Sequence, residues 1–337
     1  MPDATAYNPG TTGGRREDLR NVLTILEPED TPFTSRVRKG PAPKSTFVET
    51  LGDTLRAPNR NGTKPGTDAK RGSNKATKRA RFGVYICRKM EEFGVDDVQQ
   101  IISEKGGQAA VDNEYGYAKA KTLREMKRDM EAVNMGDQDH TGGDDETNMM
   151  TRGYFSWIQS GAQASNPVPA SFRTPAGAIV SGKSFGGTKY TEDDLNGVLK
   201  ALYQVYGGKR TYAAIGGKNA IDTLDHFSRV DTASSPRYKV QEMADEHEIT
   251  MMVSVFDSSF GRVEAQTDVF LKTDATTGAG DDEALAIANM DLFHMDMFDA
   301  LHTMDLPDYG GGPNGYAKVM WALLCDSPKG SGKIYNS

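Results

Sequence analysis

Two short glycine-rich runs contain residue types that bind phosphate in other proteins. Gly216-Gly-Lys-Asn and Gly186-Gly-Thr-Lys each place a lysine beside backbone N–H groups that carry little side-chain bulk. A P-loop, however, needs a lysine and then a hydroxyl residue after a longer glycine interval. Neither run has this spacing, so both are interpreted as ordinary turns and helix starts.

An acidic loop at residues 137–148 could ligate a divalent cation through His140 and its neighbours. The carboxylates in this loop are Asp137, Asp139, Asp144, Asp145 and Glu146. Their spacing does not match the calcium loop, in which Asp and Asn alternate. A solvated surface loop is therefore favoured. A metal-dependent enzyme that uses this loop is kept as an alternative from a different functional class.

The remaining chemical residue types form no recognisable site. The other histidines are isolated or, like His294 and His302 near Asp296, lack a third partner of known position. No Ser/His/Asp order, zinc-type His-Glu pair or cysteine nucleophile signature is present. Cys87 and Cys325 are too far apart in sequence to suggest a disulfide framework or a metal site. The sequence therefore predicts no enzyme, no cofactor and no metal.

One basic run is uninterrupted by an acidic residue. Its members are Lys70, Arg71, Lys75, Lys78, Arg79 and Arg81. Binding of nucleic acid would call for interleaved aromatic residues or a basic surrounding domain, and neither is present. Because the whole chain has a net charge of −7, docking of this basic run on an acidic neighbouring surface is favoured over nucleic-acid binding.

Composition indicates a folded chain with many loops. Glycine accounts for 36 of 337 residues, above the usual share of about 7%, and the mean hydropathy is −0.59. No signal peptide is visible, and no apolar run approaches the ~20 residues that cross a bilayer. We expect a protein that has no contact with a membrane and is made and used in a cytoplasm.

The pattern of the N-terminal third predicts an arm followed by a hairpin. A short amphipathic helix is predicted from Leu19, Val22, Leu23 and Leu26, and Pro28 and Pro32 end it, which leaves an extended segment over residues 26–33. Residues 46–60 and 77–90 are predicted strands around a solvated loop at 61–76. Arms of about 12 to 14 residues would reach roughly 40 Å. Because a two-stranded ribbon is marginally stable alone, a neighbouring subunit is its expected support.

The rest of the chain alternates helices and strands. A long helix is predicted from about Gln108 to Asn134, ended by Gly136, and a Pro/Ser/Gly-rich stretch at 160–188 is interpreted as a linker. Thr191-Glu-Asp-Asp194 is a good helix start, and Gly207 is a good helix end. Further elements are expected as strands at 211–215, 249–256, 261–271, 284–289 and 315–325, with a helix at 218–227.

Several segments follow one another in an order that is known from another family. They are Leu26-Glu-Pro-Glu-Asp-Thr-Pro-Phe33, Phe47-Val-Glu49 with Asp53 and Pro58, Glu125–Glu131, Arg152-Gly153 through Trp157-Ile158, and Ser259-Phe-Gly261 with Val263. Together with the order of elements, they resemble the Hong Kong 97-like fold of tailed-phage major capsid proteins. Within that fold, the chain is similar to a group of phage head proteins first catalogued as a family of unknown function. Two departures lie in the hairpin, where Lys64-Pro-Gly66 replaces a common Glu-Gly pair and Gly83 replaces a common Asn.

The resemblance implies an α+β architecture divided along the chain. We expect an N-terminal arm at 1–45, an extended β-hairpin at 46–88, a peripheral domain at 89–165 with a spine helix at about 108–135, an axial α/β domain at 166–285, and return strands with a C-terminal tail at 286–337. Contacts between subunits are expected from Pro28, Thr31, Pro32, Phe33, Phe47, Glu49, Asp53, Lys70, Arg71, Lys75, Lys78, Arg79, Arg81, Arg128, Glu131 and Trp157.

The implied function is a structural one. Subunits would form hexamers and pentamers of an icosahedral head shell that encloses double-stranded DNA, assembled in the bacterial cytoplasm and located in the virion. Portal, scaffold and decoration proteins are the other expected partners, and contact with the packaged DNA would be weak. Because little of the chain precedes the arm, a separate scaffold protein is expected. The alternatives of similar kind are a neck or tail protein and an encapsulin-like compartment shell.

Overall fold

The computed structural model describes residues 30–55, 58–68, 79–106, 113–184, 187–227, 255–273 and 280–336. The helices are α1 Pro32–Arg36, α2 Asp97–Gly106, α3 Glu114–Asn134, α4 Tyr154–Trp157, α5 Glu192–Tyr206 and α6 Lys218–His226. The strands are β1 Arg38–Lys39, β2 Phe47–Gly52, β3 Ala80–Tyr85, β4 Cys87–Gly94, β5 Ile179–Val180, β6 Arg210–Gly216, β7 Val255–Asp257, β8 Gly261–Thr267, β9 Leu285–Ala288, β10 Phe293–Leu306, β11 Asn314–Cys325 and β12 Gly332–Ile334. No helix in these ranges is both long enough and apolar enough to cross a membrane.

A six-stranded mixed sheet forms the centre of the α/β part, in the order β5-β12-β9-β6-β8-β7. The inner strands pair in both senses, since β6 runs parallel to β8 and antiparallel to β9. Its core residues come from both helices and strands: Leu195, Val198, Leu199, Leu202, Tyr212, Ala214, Leu224, Val263, Leu285 and Ile287. Burial of these side chains, at about 25 cal/mol per Å² of apolar surface, is the main force that holds α5 and α6 on the sheet.

Local sequence signals set the ends of α5, as predicted. The Thr191 hydroxyl accepts a hydrogen bond from the Asp194 backbone N–H, and the Asp194 carboxylate accepts one from the Thr191 backbone N–H. This reciprocal arrangement satisfies two N–H groups that a helix start leaves open. At the other end Gly207 adopts a φ of +66°, the left-handed conformation that glycine adopts without strain.

The other two sheets are smaller. A four-stranded sheet has the order β1-β10-β11-β4, and β2 pairs only with β3. By chain contacts the described residues fall into two compact units. The first contains residues 91–123 and 303–317, and the second contains 30–90, 124–302 and 318–336.

The hairpin is shorter than predicted. Its ladder joins Phe47 to Tyr85 and ends at Gly52 and Ala80, six pairs in all, so each arm extends only about 20 Å. Residues 53–55 and 58–68 form no strand. This stretch contains Pro58, Pro65 and two glycines, which do not sustain a ladder. Residues 87–90, predicted as the end of the returning arm, belong instead to β4 of the four-stranded sheet.

Two further expectations were wrong in part. Residues 160–188 are not a linker, because Val168, Phe172 and Ala178 are buried and β5 forms the edge of the six-stranded sheet. Pro32 and Phe33 do not continue an extended arm but begin α1, where Pro32 occupies the first helical turn. Several elements were not predicted from the sequence, and the longest of them are the ten-residue helix α2 and the fourteen-residue strand β10.

The long helix was predicted correctly in its body and its end. It ends at Asn134, as expected, and Met126 and Met130 lie on its buried face. Its start at Glu114 lies six residues after the predicted Gln108, and the Asn113 side chain accepts a hydrogen bond from the Gly116 N–H there. The predicted helix at residues 19–26 lies outside the described residues.

Candidate assembly surfaces

A buried carboxylate of α3 anchors α1, which is the described end of the N-terminal arm. The two Glu131 oxygens accept hydrogen bonds from the backbone N–H groups of Phe33 and Thr34, at 2.7 and 2.8 Å. These N–H groups belong to the first turn of α1, where helical partners are lacking. Glu131 is fully buried, so its carboxylate caps α1 and fixes the position of the arm's described end.

A second carboxyl group lies beside Glu131. Asp268 is 4% exposed, and one of its oxygens accepts a hydrogen bond from the Phe270 N–H at 2.8 Å. Burial, followed by the charge of Glu131, raises the pKa of Asp268 to about 7. Burial also raises the pKa of Glu131, against the opposing effect of its hydrogen bonds from Thr34 and Phe33. Two neighbouring buried carboxyls resist simultaneous ionisation, so we expect the pair to hold one proton near neutral pH.

Several residues expected at subunit contacts are buried inside their own chain. Phe33 packs edge-on against Tyr154 and Phe293 at 5.8 and 5.7 Å between ring centroids. Trp157 is fully buried, and its indole N–H donates to the Leu323 carbonyl oxygen at 3.1 Å. Together with Glu131 and the buried Pro32, these side chains leave no exposed surface for another subunit and instead position the segments around them.

The base of the hairpin is held by aromatic contacts and by His140. The Phe47 and Tyr85 rings, paired across β2 and β3, lie 4.8 Å apart, and Tyr85 lies 5.4 Å from the His140 ring. The Tyr85 backbone N–H donates to His140 Nδ1 at 3.1 Å. Burial and the neighbouring Arg152 lower the pKa of His140. The neutral imidazole is therefore favoured, and only this form has a ring nitrogen that accepts the bond.

One face of the hairpin rests on its own chain. Phe82 and Val84 of β3 are fully buried. The Phe82 ring lies 6.2 Å from that of Trp157 and 5.5 Å from that of Phe172. A Cβ atom at Gly83 would lie 2.2 Å from the Val48 carbonyl oxygen, so this strand pair leaves no room for a side chain at that position. The paired base therefore has support from its own fold, contrary to the expectation from the sequence.

The outer face of the hairpin and the described part of its loop are exposed and contain several charged residues. Arg79 and Arg81 form weak ion pairs with Asp53 and Glu49, at 3.7 and 4.0 Å, all on the surface. Every residue from 58 to 68 is exposed. Leu51 and Leu55 are 64% and 98% exposed. Large apolar side chains at this exposure, grouped with charge, are typical of a surface that meets another protein.

The other predicted contact residues fall into two groups. Thr31 and Arg128 are half-buried, and the Arg128 guanidinium lies 5.3 Å from the centroid of the Phe270 ring. Five others lie outside the described residues, and for them the prediction stays as it was: Pro28, Lys70, Arg71, Lys75 and Lys78.

The acidic loop is built as a structural turn. Asp139 binds the buried Arg152 at 2.7 Å, and Asp144 accepts hydrogen bonds from the backbone N–H groups of Glu146 and Thr147. His140, expected at the surface, is buried. Within the described ranges, no three His, Cys, Asp or Glu side chains are grouped so that they could hold a metal ion.

The glycine run at 216–219 is a helix start, as predicted. Gly217 is the N-cap of α6. The N–H groups of Asn219 and Ala220 both donate to the Asp282 carbonyl oxygen, at 3.0 and 3.1 Å. These donors are already occupied within the chain, so this turn has little left to offer a phosphate. Gly186 of the second run lies outside the described residues.

Sequence reasoning missed an exposed apolar face on α2. Val98, Ile101 and Ile102 are 57%, 47% and 61% exposed. Their spacing of three and four residues is the signal that could have revealed both the helix and its apolar face.

Solved structures with this arrangement of elements are phage and phage-like capsid shells. The chain is similar to a subunit of the cyanophage A-1(L) capsid at 14% identity, with a TM-score of 0.66 over 95% of this chain and 96% of that one. It matches Gordonia phage Cozz at 10% identity and a TM-score of 0.57 over 99% and 98% of the two chains. A match to the satellite phage P4 procapsid has 10% identity and a TM-score of 0.50 over 90% and 86%. The fold is therefore the Hong Kong 97-like capsid fold.

The sequence itself narrows this class to one family. The model of the SU10 major capsid protein family matches residues 4–337, and the chain belongs to that family. No protein of curated function matches it by sequence. The protein is a structural subunit of the icosahedral head shell of a phage and is located in the virion. This assignment replaces the alternatives of a neck or tail protein, a cargo compartment and a metal-dependent enzyme.

Proposed function

We propose that the subunits form hexamers and pentamers in which the hairpin of each copy docks on the acidic surface of a neighbour. Opposite charge on two parts of the same chain carries this proposal. Residues 46–88 contain ten Lys and Arg against three Asp and Glu, a net charge of +7. The compact unit of residues 91–123 and 303–317 contains nine acidic against three basic residues, a net charge of −6.

The exposed side chains fit such a contact. Glu91, Glu92, Asp96 and Asp97 are exposed in the acidic unit. On the hairpin, the ion pairs of Arg79 and Arg81 are long and on the surface, so little free energy is lost when these arginines turn to another partner. Charge complementarity steers docking and selects the register, while Leu51 and Leu55 supply apolar area that is buried on contact.

The buried residues have a supporting role in this proposal. Phe82, Trp157 and His140 hold the base of the hairpin, and Glu131 with Phe33 holds the root of the arm. A base that is already ordered lowers the entropic cost of docking the remainder. Thr31, Phe47, Glu49, Asp53 and Arg128 stay as proposed contacts at the margins of these two segments. Several weak contacts per subunit then act together as a multivalent set in a closed shell.

The other partners follow from the same role. An acidic subunit suits a DNA container, because a strongly basic wall would bind its cargo. The similar P4 procapsid contains a size-determination protein. We include a scaffold protein of this kind, a portal and decoration proteins as partners of the shell.

Charge reversal on the hairpin tests the proposal. Lys70→Glu/Arg71→Glu should abolish shells seen by negative-stain electron microscopy while the subunit stays folded by circular dichroism. Adding Glu91→Lys/Glu92→Lys to that variant should restore at least part of the shell yield. Lys44→Glu/Lys200→Glu, which changes net charge equally outside both surfaces, should assemble like the unmodified chain. Normal shells from the hairpin variant would overturn the proposal.

A further inference from the structure

Helix α2 exposes an apolar face, which is unusual for a helix that packs only within its own chain. Val98, Ile101 and Ile102 lie on one face, because residues three and four apart are neighbours on a helix. This face is 57%, 47% and 61% exposed. A helix on a protein surface normally turns its apolar stripe toward the core and its polar side to water. In α2 the apolar stripe is the exposed one.

The inward side of α2 is polar. Among residues 97–102, only Gln100 is half-buried. Its side-chain oxygen accepts a hydrogen bond from the Tyr115 backbone N–H at 3.2 Å, at the start of α3. Isolated helices of about ten residues are marginal in water and depend on burial of an apolar face. The described contacts do not bury the apolar face of α2, so we expect another segment or another chain to pack on it.

The chain itself contains a segment of matching character. Residues 15–27, which lie before the described residues, place Leu19, Val22, Leu23 and Leu26 at helical spacing. Three arginines, at positions 15, 16 and 20, and three acidic residues, at positions 17, 18 and 27, accompany this apolar stripe, so the segment has no net charge. Its match to α2 therefore lies in the apolar stripe, which has the helical spacing needed to pack along the exposed stripe of another helix.

The hairpin is a poorer occupant of this face. It exposes two leucines, Leu51 and Leu55, of which Leu51 lies in a strand and Leu55 in a loop. Four apolar residues at helical spacing fill the shallow surface of another helix more completely. We propose that the N-terminal segment 15–27 docks as an amphipathic helix on the Val98–Ile101–Ile102 face of α2. This docking goes beyond the proposed hairpin contact and does not depend on it.

Disulfide trapping in assembled shells tests this docking. The pair Leu23→Cys/Ile101→Cys is oxidised with copper phenanthroline, and its rate is compared with that of Leu23→Cys/Val269→Cys, whose second site is an exposed valine in the other unit. The two native cysteines should contribute little to the cross-linking. Cys87 and Cys325 are buried, and burial raises the pKa of Cys87 to about 11, which leaves little reactive thiolate. The Leu23–Ile101 pair should be trapped at least tenfold faster than the control.

The identity of the cross-linked product and a second cysteine pair distinguish the possible outcomes. A bridge within one chain or between two chains supports the docking, and gel mobility tells whether the segment covers its own α2 or that of a neighbour. The rival pair Leu55→Cys/Ile101→Cys places the hairpin on the same face. The inference is overturned if the rival pair or the Val269 control is trapped as fast, or if no bridge forms although electron microscopy shows intact shells.

Proteolysis gives an independent measurement that needs no cysteine. Docking protects Arg15, Arg16 and Arg20, so trypsin should cleave there slowly in the full-length protein. Ile101→Asp should raise the cleavage rate at these sites at least tenfold, and Val269→Asp should leave it unchanged. Equal cleavage in the unmodified chain and in Ile101→Asp contradicts the docking.

Discussion

The six-stranded sheet and the hairpin differ in how completely one chain stabilises them. Leu199 of α5 and Leu285 of β9 are fully buried between the six-stranded sheet and its helices. In the described part of the hairpin, only the paired base packs on its own chain, and Leu55 beyond it is 98% exposed. The subunit therefore folds around the core of the six-stranded sheet and also exposes hairpin residues, which we propose are covered by neighbouring chains.

The largest expected effect on stability comes from the core. Leu199→Ala should lower the free energy of unfolding by about 2 to 5 kcal/mol, because it removes buried methyl groups and leaves a cavity. Leu55→Ala makes the same chemical change at an exposed position and should leave that free energy within about 0.5 kcal/mol. Urea unfolding of the unassembled subunit measures both. Similar losses at the two positions would remove the distinction between the regions.

The carboxyl pair at the root of the arm predicts how stability depends on pH. The folded pKa of Asp268, about 7, is above its ordinary value of 3.8. The folded state therefore keeps a proton that the unfolded chain gives up, so this contribution is present at low pH and is lost as the pH rises through about 7. We expect the free energy of unfolding to fall by up to about 4 kcal/mol between about pH 3 and about pH 8, with most of the decline between about pH 4 and about pH 7.

Asp268→Asn isolates this contribution. The amide keeps an acceptor for the Phe270 N–H and can donate to Glu131, so most of the decline with pH should disappear. Asp144→Asn is the control, since that carboxyl is exposed and the Thr147 hydroxyl lowers its pKa. Urea unfolding at several pH values checks both variants. An unchanged slope in Asp268→Asn would mean that the pair does not share a proton.

The helix cap of α5 should have a smaller effect. Thr191→Ala removes the hydroxyl that accepts the Asp194 N–H and should cost about 1 kcal/mol in the free energy of unfolding. Thr63→Ala, in the exposed part of the hairpin, is the matched control and should cost close to nothing. A loss at Thr63 as large as that at Thr191 would show that the hairpin is more firmly held than its exposure indicates.

The smallest effect is expected from the ion pairs of the hairpin. A double-mutant cycle with Glu49→Gln and Arg81→Gln should give a coupling below about 0.5 kcal/mol in the unassembled subunit, because both groups are exposed. A coupling above about 2 kcal/mol would mean that Arg81 is held firmly by Glu49 of its own chain, and this would contradict the proposal that it is available to a neighbour.

Local signals made some of this fold predictable. The Thr191–Asp194 capping box and Gly207 lie within a few residues of the ends they determine, so α5 was predicted almost to the residue. The strand β10 was missed because Asp296, Asp299 and Asp305 interrupt its apolar residues without strict alternation. The length of the hairpin was overestimated because alternation continues past Tyr85 into a strand of a different sheet.

The buried positioning residues could not be identified as such from sequence. Glu131 binds a backbone group 98 residues away in the chain, and no local pattern encodes such a contact. The expectation that Phe33, Glu131 and Trp157 would touch other subunits came from a family likeness, which marks a residue as significant without saying where its side chain points. The charge contrast between hairpin and acidic unit, by comparison, is a property of composition and was visible in part from the basic run.

The most direct test of the central claim is zero-length cross-linking of shells assembled from an equal mixture of ¹⁴N-labelled and ¹⁵N-labelled subunits. A carbodiimide joins a lysine to a carboxylate that it already contacts, and mass spectrometry tells whether the two come from different chains. We predict mixed-isotope links from Lys64, Lys70 or Lys75 of the hairpin to Glu91, Glu92, Asp96 or Asp97. Links found only within single chains, or from the hairpin only to other surfaces, would contradict the account.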